Sequence, residues 1–201
     1  MRMAKHFISI AAVLIVTVST ADAGCFRGKP YPECRVFWIT EAGFMYRFDS
    51  PGLKDKQSQE HYLSRPGLMQ SRDYYLGNLG LMVNIDAHNA VGGLLAFGVD
   101  YSVDDWRTYV GARFRRWLSE SVAADVTAGI IRTALSRQKI NFFSEISMML
   151  SDQVGVSARM EWVRRPDYAT ASHDVSWYGG VRLGSEWGAV VAAILLPMLA
   201  L

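Results

Sequence analysis

The sequence predicts an all-β chain, an eight-stranded antiparallel up-and-down β-barrel followed by a short apolar C-terminal segment. Three observations carry this reading. Eight stretches alternate apolar residues with small or charged ones, the period of a strand lying between two unlike environments. Half of the 201 residues are hydrophobic, yet between the two termini no apolar run is long enough for a membrane helix. The connections between the stretches also alternate, with one exception, between long and short.

The chain begins with Met1-Arg2-Met3-Ala4-Lys5, an apolar run from Phe7 to about Val18, and the small-residue exit Ala21-Asp22-Ala23. That order predicts a signal peptide over residues 1–23. Export places Cys25 and Cys34 in an oxidising compartment, where the turn-rich interval between them favours a local disulfide. Residues 24–35 then form a clipped N-terminal segment, 36–184 the barrel and 185–201 the tail. A net charge of only +2 gives no support to a nucleic-acid partner.

The first strand is expected over Val36–Phe48, with Val36, Trp38, Phe44 and Tyr46 on one face and Glu41, Gly43 and Arg47 on the other. Residues 49–72 carry Pro51-Gly52 and Pro66-Gly67 and read as a long loop. Tyr74–Ile85 sets Tyr75, Leu79, Leu81 and Val83 against Asn78, Gly80 and Asn84. Ala90–Tyr101 opposes Val91, Leu95, Phe97 and Val99 to Ala90, Gly92, Leu94, Ala96, Gly98 and Asp100. Trp106–Trp117 opposes Val110, Ala112 and Phe114 to Arg107, Tyr109, Gly111, Arg113 and Arg115.

Ser121–Thr133 follows, with Val122, Val126 and Ile130 opposite Asp125 and Thr127. Ile140–Leu150 sets Phe142, Ile146 and Met148 against Asn141, Glu145 and Ser147. Val154–Arg165 sets Val156, Met160 and Trp162 against Ser157, Arg159 and Glu161. His173–Gly184 sets Val175, Trp177 and Val181 against Asp174, Ser176, Tyr178 and Arg182. The tail from Trp187 to Leu201 is apolar on every face, and a helix of that length reaches only about 22 Å. It is expected to be a helix packed on the barrel or at a membrane boundary, or else an extension of the last strand.

Which face points inward follows from charge. None of the five lysines falls in a predicted strand, whereas arginine recurs on one face, suited to fixed multidentate ion pairs. That face holds Glu41, Asp125, Glu145, Glu161 and Asp174 with Arg47, Arg107, Arg113, Arg115, Arg159 and Arg182. Five acids against six bases is the near-balance a packed interior requires, because an unpaired buried charge costs several kcal/mol. The small face of the third strand would clear room inside for the neighbouring long arginines. The apolar face then points to lipid, with Arg116, Arg132 and Arg164 near strand ends where they can snorkel.

Eight such strands behind a signal peptide, with an inward network including Glu41, Arg113, Asp125, Glu145, Arg159 and Arg182, resemble the small outer-membrane barrels of the outer membrane protein A and X type. The resemblance spans roughly residues 36–184 and is architectural. It implies a bacterial outer-membrane location, contact with outer-membrane lipid, a monomer, and a role that is structural or carried by the outer loops. The loop at 49–72 is the candidate surface for a ligand. A lipid-modifying or small-solute-handling membrane barrel, and a periplasmic barrel binding an apolar ligand, are the competing readings.

Chemistry has little to stand on. The histidines are not spaced with other ligands as a metal site would be, and no Gly-rich phosphate loop or other cofactor motif is present, so no metal and no cofactor are expected. His173 and Ser176 are weak candidates for a base and a nucleophile. Strand phase sends them to opposite faces, which favours a rim histidine beside a loop.

Overall fold

The computed structural model describes residues 25, 28–48, 72–100, 105–133, 140–164 and 173–191. The predicted signal peptide, nearly all of the 49–72 loop and the tail beyond residue 191 lie outside them. Eight strands form one sheet: β1 (Val36–Arg47), β2 (Asp73–Asn84), β3 (Asn89–Asp100), β4 (Asp105–Trp117), β5 (Val122–Thr133), β6 (Asn141–Leu150), β7 (Val154–Arg164) and β8 (His173–Leu183). Each pairs antiparallel with its sequence neighbours, and β8 pairs with β1 to close the barrel. All eight expected strands are present, with ends displaced by one residue at most. Asp105, expected in a turn, instead opens β4 opposite Asp100.

One end of the barrel carries the connections at 48–72, 101–104, 134–140 and 165–172, and is called here the loop end. The opposite, turn end has three tight reversals, each built by local chemistry. Asp86 accepts from the backbone N–H groups of His88 and Asn89 at 2.7 and 2.8 Å, closing β2 onto β3. Ser119 Oγ accepts from the N–H groups of Ser121 and Val122 between β4 and β5. Between β6 and β7, Ser151 and Asp152 both have φ near +50°, and Gln153 N–H donates to the Leu150 carbonyl at 3.0 Å. Positive φ at both central residues matches the turn to the right-handed twist of its strands.

The barrel is staggered at its seam. Leu183 at the end of β8 registers with Val154 at the start of β7, but with Ala42 midway along β1. The stretch Val36–Glu41 therefore extends past β8, and two other pieces of chain cover it. Cys25, disulfide-bonded to Cys34, makes a parallel bridge to Phe37, accepting from Trp38 N–H and donating to the Val36 carbonyl. A seven-residue helix, α1 (185–191), begins directly below β8. Thr40 Oγ1 donates to the Ser185 carbonyl at 2.8 Å. A Cβ on Gly188 would fall 2.8 Å from Glu41 Cα and collide with the Thr40 and Leu183 carbonyls, so only glycine permits this seat. The start of the tail is thus a helix packed on the barrel rather than a continuation of β8.

The packing is inverted relative to a soluble protein. On the outer wall Val110, Val126, Ile146 and Val156 are 53–61% exposed, while Arg115, Glu161 and Arg182 in the lumen are at 0%. Two apolar clusters stand inside, toward the two ends. Met45, Tyr74, Leu76, Leu94, Ala96, Tyr109, Ile131, Phe143 and Tyr178 occupy the loop-end half. Cys34, Phe37, Ile39, Met82, Ala90, Trp117 and Ala123 occupy the turn end.

Candidate functional site: a file of charges along the lumen

Alternation sends every second residue of each strand into a lumen that side chains fill, so a long ionised side chain there must find its partner on another strand. The partners connect into one file. Arg47 faces Asp100 at 3.4 Å, and Asp100 faces Arg107 at 2.9 Å. Arg107 pairs with Glu161, and Glu161 lies 3.6 Å from Arg159. Arg159 lies 3.0 Å from Glu145, which also pairs with Arg182. Arg182 reaches Glu41 at 2.6 Å, and Glu41 reaches Arg113 at 2.7 Å. Asp125 lies 3.5 Å from Arg113 and 2.7 Å from Arg115, and Arg115 ends the file on Asp152 at 2.8 Å. Sign alternates at every step, with six bases and six acids among the described residues.

Two links are forked, which fixes orientation as well as distance. Arg113 gives both terminal nitrogens to Glu41, at 2.7 and 3.1 Å, and its Nε to Thr127 at 3.0 Å. Arg115 grips both oxygens of Asp125, at 2.7 and 2.8 Å. Arginine faces also stack on aromatic rings: Arg159 lies 4.4 Å from the Tyr109 centroid and Arg115 5.0 Å from that of Trp117.

The loop end adds tyrosine hydroxyls. Tyr178 donates to Asp100 at 2.7 Å and accepts from Arg107 at 2.8 Å. Tyr109 donates to Glu161 at 2.8 Å. Tyr74 must then donate to Tyr109, while accepting from Arg159 at 3.1 Å. The turn end is finished by the N-terminal segment. Gly28 N–H donates to Asp152 at 2.9 Å, and Asn84 Nδ2 donates to the Lys29 and Cys34 carbonyls. Burial pushes the Asp152 carboxyl above its ordinary value, against the opposing pull of Arg115 and the Gly28 N–H.

Of the residues singled out from sequence, Glu41, Arg47, Arg107, Arg113, Arg115, Asp125, Glu145, Arg159, Glu161 and Arg182 all lie in this file. The side chains of Asp174, His173 and Arg164 lie outside the described residues. Asp100 and Asp152 belong to the file but were not assigned to it. Asp100 has inward parity but stands at a strand end, and Asp152 lies in a turn, where parity has no meaning. Ser176 is buried and accepts from Arg47 Nη2 at 2.6 Å. A nucleophilic serine needs a base on its hydroxyl, and this one is held by a cation.

At two positions the small face of β3 makes room for β2 rather than for the arginines of β4. A Cβ on Gly98 would fall 2.5 Å from the Tyr74 hydroxyl, and one on Gly92 2.5 Å from Met82 Sδ. Both neighbours belong to β2. The space vacated by glycine is filled by tyrosine and methionine leaning across the β2–β3 pair, while the arginines reach for acids farther away.

The sequence matches no protein-family model and no curated protein. Among solved structures the fold is similar to a de novo designed transmembrane β-barrel, at 11% identity and TM-score 0.41, covering 79% of this chain and 98% of that one. It is also similar to the Yersinia pestis outer membrane protein Ail, whose backbone structure was determined in a phospholipid bilayer nanodisc. That similarity is at 14% identity and TM-score 0.41, covering 73% of this chain and 97% of that one.

Chemically the file is a packed filling of paired charges. Each ionised group has an opposite charge within ion-pair distance. Among the described residues no three His, Cys, Asp or Glu side chains converge as a metal ion would require. What the arrangement does is fix eight strands in one register, since a slip of one residue would carry a strand's charges to the outer wall.

Proposed function

We propose that this chain is a bacterial outer-membrane β-barrel that crosses the bilayer with its eight strands, contacts outer-membrane lipid along its wall, and acts structurally or through its loops. The observation that carries the reading is the inverted packing. Val110, Val126, Ile146 and Val156 stand exposed around the wall while twelve charged side chains are buried inside. An apolar face on that scale would aggregate in water and is stable in hydrocarbon.

The distribution of aromatics supports it. Tyr46, Phe48, Trp106, Phe142 and Trp162 are exposed on the wall near the loop end, as an interfacial girdle would be. Arg116 and Arg132, exposed on the wall, sit at strand ends within reach of headgroups. The filled lumen argues for a sealed barrel that passes no solute, so interactions fall to the loops. The 49–72 loop, nearly all of it outside the described residues, is the proposed surface for a ligand.

Heat-modifiable gel migration and recovery in the outer-membrane fraction are the expected results. Cysteine at Val126 should be shielded from a water-soluble thiol reagent in lipid and should react with a lipid-soluble one. Recovery of the folded chain as a soluble periplasmic monomer, with residue 126 freely labelled by the water-soluble reagent, would overturn the proposal.

A further inference from the structure

Val36–Glu41 runs on beyond the last register pair of the seam, Ala42 with Leu183, so one backbone edge of β1 must be met there by other chain. An edge left bare is costly in hydrocarbon, where no water meets its N–H and C=O groups. Cys25 meets it at Phe37 and α1 meets it at Thr40. Phe37, Ile39 and Glu41 are buried in the lumen, so the Thr40 side chain between them points out of the barrel. Its hydroxyl holds the Ser185 carbonyl, and Gly188 approaches the Thr40 carbonyl so closely that no Cβ fits. α1 therefore sits on the outer side of the wall at the turn end, where its own outer face continues the apolar surface of the strands.

We propose that α1 is an interfacial anchor, with Trp187 and Val190 seated in the boundary between headgroups and acyl chains of the leaflet at the turn end. The proposal rests on the reading of the strands as membrane-spanning and adds a second lipid contact of a different kind. Three observations select lipid as the occupant. The first is that exposure follows one arc of the helix. At roughly 100° per residue, Glu186, Val190 and Trp187 succeed one another around the axis, and all three are exposed. Ser185 and Gly188, on the opposite side, are buried. The arc thus carries a carboxylate at one edge, an indole at the other and a valine between them. That order suits a helix lying half in headgroups.

The second is the pattern of aromatics. The exposed residues that end strands at the turn end, Val83, Val91, Leu150 and Val154, are aliphatic, in contrast to Tyr46, Trp106 and Trp162 at the loop end. Membrane barrels carry aromatic residues at both interfaces. Beside the half-buried Trp38 it is Trp187, 63% exposed, that brings one to the turn end. The third is charge. From Gly184 to Leu201 the sequence holds a single charged residue, Glu186. A protein-docking surface surrounds its apolar centre with a polar rim, which one carboxylate does not make.

The test places a nitroxide on one introduced cysteine at a time, in the full chain folded in phospholipid nanodiscs with its disulfide intact. Collision with oxygen, which concentrates among acyl chains, is compared with collision with a water-soluble nickel complex. Val126→Cys marks the middle of the wall and Glu120→Cys an aqueous turn. Trp187→Cys and Val190→Cys are expected to give oxygen-to-nickel ratios severalfold above that at 120 and below that at 126. Ratios equal to that at 120 would place α1 in water and overturn the proposal. Shielding from both reagents would also overturn it, because protein, in these discs a second copy, would then cover the helix. A label at 126 freely met by nickel would overturn the membrane reading itself, and this proposal with it.

Discussion

The two ends of the lumen are closed by the same interaction, an arginine between two carboxylates, in different mechanical settings. At the loop end Arg107 stands between Asp100 and Glu161, with Tyr178 bridging, and every participant is held by a strand. At the turn end Arg115 stands between Asp125 and Asp152, but Asp152 sits in a reversal and its other oxygen binds the backbone of Gly28. One plug is part of the sheet. The other is assembled from pieces the sheet only supports, which makes it the more yielding when a partner is removed.

The sharpest way to break this comparison is to remove each arginine. Arg107→Ala takes from Asp100 and Glu161 their shared cation. It leaves Asp100 with Arg47 and Tyr178 and Glu161 with Arg159 and Tyr109, on strands that cannot move to reach water, and should cost about 3–5 kcal/mol. Arg115→Ala should cost less. Asp125 keeps Arg113 much as Asp100 keeps Arg47, but Asp152 sits in a turn and can swing outward with it. Urea-unfolding midpoints of the two variants, followed by gel migration, decide the matter. Equal losses would mean that the turn end is as stiff as the loop end.

Removing the disulfide probes the turn end alone. A closed loop of this length, from Cys25 to Cys34, restrains the open segment by about 3 kcal/mol in the chain-entropy model. Cys25→Ser/Cys34→Ser should therefore speed amide hydrogen exchange at Gly28, whose N–H is held by Asp152, and at Asn84, whose N–H donates to the Arg35 carbonyl in the clipped segment. Exchange at Tyr74, Tyr109 and Tyr178 should be unchanged. A global loss of protection would show that the segment is part of the cooperative core. At the opposite end, Tyr178→Phe deletes one hydroxyl that both donates to Asp100 and accepts from Arg107, for about 2 kcal/mol. That loss should appear in the global unfolding midpoint.

The same contrast explains what could be read from the residues beforehand. Period-two alternation specifies strands and their faces, so β1 to β8 and the inward arginines were legible with no knowledge of neighbours. Asp100 was visible as inward-facing but went uncounted, because a strand end leaves open whether a side chain meets the lumen or a loop. Asp152 was not legible at all: its role depends on the positive φ of its turn and on Gly28 arriving from far along the chain. The glycines of β3 were visibly making space, but alternation names a face and not which neighbouring strand leans over it. The tail's opening helix was legible from its apolarity on every face, but its seat against Thr40 and Glu41 depends on the stagger at the β1–β8 seam, which no local pattern encodes.

The smallest expected effect is a pH dependence confined to the turn end. Burial raises the Asp152 carboxyl above its ordinary 3.8, so the folded state holds that proton more tightly than the unfolded chain does. Stability from this source is fully present below that ordinary value and is lost as pH rises through the raised folded value. Hydrogen-exchange protection at Gly28 should therefore weaken modestly as pH is raised from 3.8 toward neutrality, once the intrinsic pH dependence of exchange is divided out. Asp152→Asn is neutral at every pH and its amide oxygen can still accept from Gly28. It should abolish the dependence, and at neutral pH it should leave the plug no weaker than wild type. If Asp152→Asn instead loosened Gly28 at neutral pH, the ionised pair with Arg115 would be contributing more than burial takes away. The turn end would then be held by charge in the same way as the loop end, and the mechanical distinction between them would rest on the clipped segment alone.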